Sequence, residues 1–351
     1  METKPVLAGL LLGELTELLN IYPSFRARQI HKWICSNAGT FDEMSDLPVS
    51  LRKELVEKYT LFSGGVTSEL RDPDGTVKLG ISLEDGAIVE AVILRDREER
   101  KTACLSTQAG CPAGCVFCKT GALGFRRNLS APEIAAQFLF LRKREPEISH
   151  IVIMGMGEPL LNLDELRKAL AFIMESGGLN ISKRRITIST SGIVKGVRDL
   201  TDNGPDLRLA LSLVTAREEL RGKLMPISRE NPLPKVKEAL LRYQEKRQRR
   251  ITLEMVLLGG INTGIPDAEA AANFVRAGGS HARLDAVINL IPWNPVEGLE
   301  FEGRPLRQPT PKETADFAVA LESRGLKVTR RIGKGLGISG ACGQLGLVSN
   351  S

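Results

Sequence analysis

The chain has 351 residues, 42% hydrophobic and 26% charged, with 48 Lys and Arg against 42 Asp and Glu and a net charge of +6. That profile buries a sizeable core and excludes wholesale disorder, and the length suits one large α/β domain with an appendage or two ordinary domains. No run of about eighteen apolar residues occurs, so no membrane partner is expected, while the basic excess (pI near 9.0) is compatible with an anionic one.

In chain order, METKPVLAGLLLGELTELLN opens with a short apolar stretch interrupted by Glu14 and Glu17 and followed by no small-residue cleavage site. It reads as an amphipathic helix and not as a signal peptide, and a cytoplasmic location is expected. YPSFRARQIHKWI (22–34) places Phe25, Ile30, Trp33 and Ile34 on one face, and LPVSLRKELVEKY (47–59) repeats the pattern, so residues 1–62 are expected to form a helical accessory domain. Within 63–98, TVKLGISLEDGAIVEAVIL alternates around Asp85-Gly86, the mark of a β-hairpin linking this domain to the next.

From 99 to 333, β-rich runs alternate with helical ones: TACLSTQ, HIVIMG, RRITIST, LRLALSL, ITLEMVLL, LDAVINLIPW and KVTRRIG are separated by amphipathic segments. Such alternation specifies a parallel sheet with helical crossovers. With no GxGxxG opening the first unit, the expected fold is α/β, a partial (βα)6 TIM-type barrel. A Gly-rich C-terminal segment, 334–351, follows. In such barrels the chemistry gathers at the C-terminal ends of the strands. Those ends carry a cysteine loop, GMGEP (155–159), STSG (189–192), SLV (212–214) and PWNP (292–295).

Four of the six cysteines fall in CLSTQAGCPAGCVFC, from Cys104 to Cys118, and the chain offers only His31, His150 and His281 as imidazole ligands. Without an export signal, such a cluster points to metal or catalysis and not to structural disulfides. Two readings stay open. Cys111, Cys115 and Cys118, spaced C-x3-C-x2-C, can hold a 4Fe–4S cluster with one iron left for the amino and carboxylate groups of S-adenosylmethionine. Alternatively, Cys104 joins them as a fourth thiolate around zinc, in a non-catalytic RNA-binding protein.

The aromatic residue before the last cysteine (Phe117-Cys118) and the downstream Gly-Glu-Pro resemble the radical S-adenosylmethionine superfamily. More narrowly, GCPAGCVFCKTGALGFRRNLS, GMGEPLLN, SKRRITISTSG, INLIPWNP and ACGQL, with FRARQIHKWI and FDEMSDLP near the N-terminus, resemble the RlmN/Cfr family of RNA adenosine methyltransferases over nearly the whole chain.

The resemblance assigns Cys111, Cys115 and Cys118 to the 4Fe–4S cluster, and Glu158, Pro159, Ser189, Ser212, Leu213, Val214 and Asn294 to S-adenosylmethionine contacts. It makes Cys342, in SGACGQLGL, an S-methylcysteine intermediate and Cys104 the resolving thiol of a transient disulfide with it. Glu90 matches the proposed proton acceptor, against the plainer possibility of an outward glutamate on a strand. The implied reaction consumes two S-adenosylmethionine molecules and places a methyl on adenine carbon 2 of 23S rRNA, and of tRNA next to the anticodon. Methylation at carbon 8 of 23S rRNA is the alternative within the family. The resemblance also implies a monomer, a flavodoxin- or ferredoxin-like electron donor and an RNA-holding N-terminal domain. Arg126-Arg127, Lys183-Arg184-Arg185 and the Arg242 to Arg250 stretch are candidate phosphate contacts. Two places depart from the family pattern: Val214 stands where a histidine is usual, and KGLGIS (334–339) lacks the usual acidic residues.

Overall fold

The structure is a computed structural model, which describes residues 4–21, 23–96, 98–276, 283–331 and 333–346. The expected C-terminal segment is thus described to residue 346, and residues 347–351 lie outside the described part.

Three helices come first: α1 (Leu12–Leu19), α2 (Phe25–Cys35) and α3 (Val49–Lys58). On α2 the buried residues are Ala27, Ile30, His31 and Ile34, so the inward face is turned from the expected one; Phe25, in the first turn, is exposed, with the Arg26 guanidinium 4.9 Å from its ring centre. His31 is buried because it has a partner across the chain, Glu175, at 2.8 Å, and it meets the Phe172 ring edge-on. Those contacts, with Leu12 N–H donating to Glu175 at 3.0 Å, dock the helices on the outer layer of the barrel.

Next come β1 (Gly65–Arg71), β2 (Val77–Ser82), β3 (Ile88–Arg95) and β4 (Lys101–Cys104). The β2–β3 turn lies at Asp85-Gly86 as the alternation requires, with Gly86 N–H donating to Leu83 at 3.0 Å. The strands do not stand apart as a linker. β3 pairs antiparallel with β4 (Val92 opposite Cys104, Arg95 opposite Lys101), so the hairpin strands extend the barrel sheet.

Beyond β4 lie β5 (Gln108–Gly110), α4 (Lys119–Ala122), β6 (Phe125–Asn128), α5 (Ala131–Arg144), β7 (His150–Ile153), α6 (Leu163–Met174), β8 (Ile186–Thr190), α7 (Val194–Asn203), β9 (Arg208–Ser212), α8 (Glu218–Leu224), α9 (Leu233–Arg247), β10 (Ile251–Leu257), α10 (Ile265–Arg276), β11 (Ala286–Pro292), β12 (Glu300–Phe301), β13 (Arg304–Pro305), α11 (Pro311–Glu322) and β14 (Val328–Arg330). Strands β4, β7, β8, β9, β10, β11 and β14 are neighbours in that order, every pair parallel, and β1 and β14 are the sheet edges. The expected partial barrel is present, with β14 added after the six βα units. Helix starts follow their caps: Ser130 with Glu133 at α5 and Thr310 with Glu313 at α11 form reciprocal boxes, each with proline in the first turn. The strands are nearly continuous apolar runs, as expected of parallel strands covered on both faces: Ile186, Ile188, Leu209, Leu211, Leu253 and Ile288 are all buried. Among the described residues no helix is long and apolar enough to cross a membrane.

Candidate active site

The cysteine loop is carried by a small antiparallel pair, β5 with β6, beyond the end of β4. Cys111 N–H donates to Gly124 at 2.8 Å, and Cys118 N–H to Cys115 at 3.1 Å. The loop rests on an apolar bed in which Phe117 meets Val214, Leu224, Met225 and Trp293, and the Trp293 indole donates to the Phe117 carbonyl at 2.8 Å. Cys111, Cys115 and Cys118 line one cavity at the strand ends. Burial pushes all three thiols up, Cys111 to about 12, and Cys115 is raised further by the neighbouring Cys118 and Cys111. Three such thiols share one wall as thiolates only around compensating positive charge. Soft sulfur donors in that setting fit an iron–sulfur group. Among the described residues, no three His, Cys, Asp or Glu side chains are already drawn together at metal-binding distances. Cys104 lines a different cavity, so a four-thiolate zinc site is not laid out here.

The first cavity is also lined by Glu158, Ser189, Ser212, Val214 and Asn294. Glu158 lines the cavity, and its carboxylate is engaged by protein: Thr190 Oγ1 (2.7 Å) and Leu160 N–H (3.1 Å) donate to one oxygen, Ser191 N–H (2.7 Å) and Ser191 Oγ (2.8 Å) to the other. Four donors nearly fill what a carboxylate accepts, so Glu158 pins the tip of β8 to that of β7. Burial raises its pKa and these hydrogen bonds oppose the rise. The strand end reaches the cavity through Gly157, whose positive φ of 106° and close approach to Gln108 admit no side chain.

Pro159 and Leu213 do not line the cavity. Pro159 is buried at the start of a 3₁₀ turn, and the Leu213 side chain is in the core while its carbonyl accepts from Arg221 Nε at 3.1 Å. Val214 does line it, fully buried at a positive φ of 60°, held by its N–H to the Glu254 carbonyl (3.1 Å) and by Asn262 on its own carbonyl (3.0 Å). A β-branched residue there is strained, and the network around it fixes it.

Three residues of the site were not anticipated. Glu254, on β10, lines the cavity, accepts from Ser189 Oγ at 3.0 Å and has its carboxyl raised by burial; Ser189 and Ser212 hydroxyls are 3.2 Å apart beside it. Arg221 is wholly buried beside Cys115 and donates to the Ser191 carbonyl at 2.6 Å, joining the tips of β8 and β9. Arg331, just past β14, faces Cys342, Cys104 and Glu254, and Cys342 foremost raises its pKa against the effect of burial. A charged residue inside a β or helical run gives no sequence signal of facing inward; Glu254 in ITLEMVLL breaks an apolar run, and that was the available hint.

Cys104 and Cys342 line a second cavity together with Arg331 and Asn294. Cys342 and Asn294 border both cavities, and Asn294 Nδ2 donates to the Cys342 carbonyl at 2.9 Å. Burial pushes the Cys104 thiol up to about 12, Cys342 adds to this, and Arg331 opposes it.

Glu90 is not the outward strand residue of the plainer expectation. It is 1% exposed, not outward, and lines neither cavity. Its carboxylate meets Lys78 at 2.8 Å and accepts from Gly346 N–H, so it lies beneath the C-terminal segment.

Several of the candidate phosphate contacts are paired within the protein. Arg127 bridges Asp85 and Glu133; Arg242 and Lys246 hold Asp202; Arg249 and Lys183 hold Asp206. The stretches 183–185 and 242–250 directly precede β8 and β10, which puts them at the opposite rim of the barrel from the cavities.

Comparison with known proteins agrees with this arrangement. Residues 105–269 match the Radical SAM superfamily, and residues 15–61 match the ribosomal RNA large subunit methyltransferase N-terminal domain. The chain is 46% identical to a probable dual-specificity RNA methyltransferase RlmN of Treponema denticola, over 98% of this chain and 96% of that one, and 44% identical to its namesake in Treponema pallidum (strain Nichols), over 99% and 98%. The crystal structure of a radical SAM methyltransferase from Sphaerobacter thermophilus superimposes with a TM-score of 0.90 at 36% identity, covering 97% of this chain and 99% of that one. A 4Fe–4S cluster and S-adenosylmethionine are the cofactors this kinship implies. The chain belongs to the RlmN family of radical S-adenosylmethionine RNA methyltransferases.

Proposed function

We propose that this enzyme methylates carbon 2 of an adenine in 23S rRNA, and in tRNA beside the anticodon, with Cys342 as the carrier of the transferred carbon. The observation that carries the reading is the position of Cys342, which borders both the cavity of the cluster cysteines and the cavity of Cys104. The names of the relatives, dual-specificity RNA methyltransferases, support the two RNA classes. When bound, the 4Fe–4S cluster and two molecules of S-adenosylmethionine per turnover supply the methyl group and the one-electron chemistry needed at an electrophilic ring carbon, and a flavodoxin- or ferredoxin-like protein provides the electron.

The residues divide the work. Cys111, Cys115 and Cys118 hold the cluster, while Ser189, Ser212, Val214 and Asn294, with Glu254, bound the S-adenosylmethionine site; Glu158 shapes its wall. Cys342, as thiolate, accepts the methyl and later presents its carbon to the adenine. Cys104, as thiolate, then attacks the Cys342 sulfur; a sulfur–sulfur bond forms, the sulfur–carbon bond breaks, and the bonding pair stays with the carbon on the RNA, which takes up a proton to become the methyl group. Glu90 takes the ring proton, which requires Gly346 to release its carboxylate. Arg330, Arg331 and Lys334 border a groove of about 740 Å³ that adjoins the Cys104 cavity and suits an RNA backbone. The enzyme is proposed to act as a monomer in the cytoplasm.

The test is Cys104→Ala with a 23S rRNA fragment and with tRNA. A covalent protein–RNA adduct, together with 2-methyladenosine from the wild-type reaction, is expected. Normal turnover by the variant would remove Cys104 from the mechanism, and 8-methyladenosine would overturn the carbon 2 assignment.

A further inference from the structure

The segment bearing Cys342 is held at two places, and one of them lies far from the barrel in sequence. On the barrel side, Lys119 N–H donates to the Gly343 carbonyl at 2.8 Å, Thr120 Oγ1 to the Leu345 carbonyl at 2.6 Å, and Gln344 Nε2 to the Pro295 carbonyl at 2.9 Å. The other hold is the β1–β2 turn, Asp72-Pro73-Asp74-Gly75. Each of its carboxylates divides its two oxygens. Asp72 Oδ1 accepts from Asp74 N–H (3.1 Å) and Asp74 Oδ1 from Thr76 N–H (2.9 Å), which fixes the turn. Asp72 Oδ2 accepts from Gly337 N–H (2.9 Å) and Asp74 Oδ2 from Gly335 N–H (2.8 Å), which fixes the segment. Lys78, one strand residue further in and buried, donates to the Ser339 carbonyl at 3.2 Å while paired to Glu90.

The segment is shaped for this contact. A Cβ on Gly337 would sit 2.8 Å from Asp72 Oδ2, and one on Gly335, which has a positive φ of 70°, would sit 2.7 Å from Thr76 Cγ2. Two backbone N–H groups, two residues apart, thus meet two carboxylates, two residues apart, at a separation that a side chain would prevent. Hydrogen bonds to charged acceptors are the stronger class. The absence of acidic residues from KGLGIS acquires a reason: the carboxylates stand on the hairpin facing it, and acids within the segment would repel them.

We infer that the β1–β2 turn is a docking cradle, in which Asp72, Asp74 and Lys78 are positioning residues that hold the Cys342 segment across the two cavities. This rests on Cys342 being the methyl carrier, and it adds the device that delivers it. Asp72 and Asp74 set where the carrier loop is anchored, and Lys78 links that anchor to the carboxylate of Glu90. Residues 340–342, between the two holds, are the span left to move between the cavities once Asn294 releases the Cys342 carbonyl.

Three full-length variants test it: Asp72→Asn, Gly337→Ala and the double variant, each loaded with cluster anaerobically. Gly337→Ala leaves the hairpin itself untouched. The expected result is backbone hydrogen exchange about tenfold faster in the peptide 334–346, with exchange in β2 unchanged. Methylation of Cys342 per cluster falls several-fold, kcat falls while KM for RNA holds, and the double variant resembles the single ones because both break one contact. Unchanged exchange in 334–346, or effects of the two substitutions that simply add, would overturn the cradle. Were the wild-type Cys342 to carry no methyl, the carrier reading would fall, and the exchange pattern would still decide the cradle by itself.

Discussion

Burial lifts the Cys104 thiol to about 12, so at neutral pH it waits as a thiol and not as the thiolate that attacks. The thiolate fraction grows with pH below that value, so resolution of the protein–RNA adduct is expected to accelerate about tenfold per pH unit between roughly 7 and 9. Quenched time courses of adduct decay read this, and a flat profile would place another step in control. Arg331 opposes the rise in Cys104, so Arg331→Gln is expected to slow resolution and let the adduct build up. Arg221 works through the backbone. Replacing it with Met leaves the Leu213 and Ser191 carbonyls without their donor, at a cost of about 3 kcal/mol in urea unfolding. Legibility differs residue by residue. The cluster cysteines and Cys342 stand out because spacing and glycine context are written along the chain. Three of the four donors to Glu158 lie more than thirty residues away, at Thr190 and Ser191, and no local pattern shows that its carboxylate is already engaged.

At the scale of elements, the exit of β4 depends on one side chain of α5. Gln137 accepts from Ser106 N–H at 2.9 Å and donates to the Ser106 carbonyl at 3.0 Å, replacing the ladder bonds the strand has just lost. Gln137→Leu is expected to cost about 2–3 kcal/mol in denaturant unfolding, because two buried backbone groups lose their partners; a neutral substitution would mean that water enters there. The alternation of apolar runs marked the parallel strands correctly because strands buried on both faces require it. It did not reveal β1 or the antiparallel β3–β4 junction, where Asp96 N–H donates to the Arg100 carbonyl and the sequence offers charged residues without a glycine signal. Chain order could have excluded the basic stretches before β8 and β10, since residues entering a barrel strand lie at the rim away from its chemistry.

For the whole molecule, titration of buried groups ties stability to pH. Burial, with Glu175 adding and Arg142 opposing, raises Cys35 to about 12, and Tyr243 is raised to about 12 by burial and Asp206. An unfolded thiol loses its proton near 8.5, so between roughly pH 9 and 12 the unfolded state holds fewer protons than the native one. Stability is therefore fully present below about pH 9 and falls as pH climbs towards 12. Cys35→Val is expected to make that fall shallower in a series of melting temperatures, and an unchanged slope would contradict the assignment. Cys35 also lies where α2 meets the barrel's outer layer, beside His31 and Glu175, so this titration belongs to the seam between the N-terminal helices and the catalytic barrel.

Whether Cys342 carries a carbon between the two cavities is tested most directly by the mass of its peptide. Protein made with cluster-assembly support and purified without oxygen is predicted to yield this peptide with one methyl group on the cysteine sulfur. An unmodified thiol in protein holding a full iron–sulfur cluster would contradict the account.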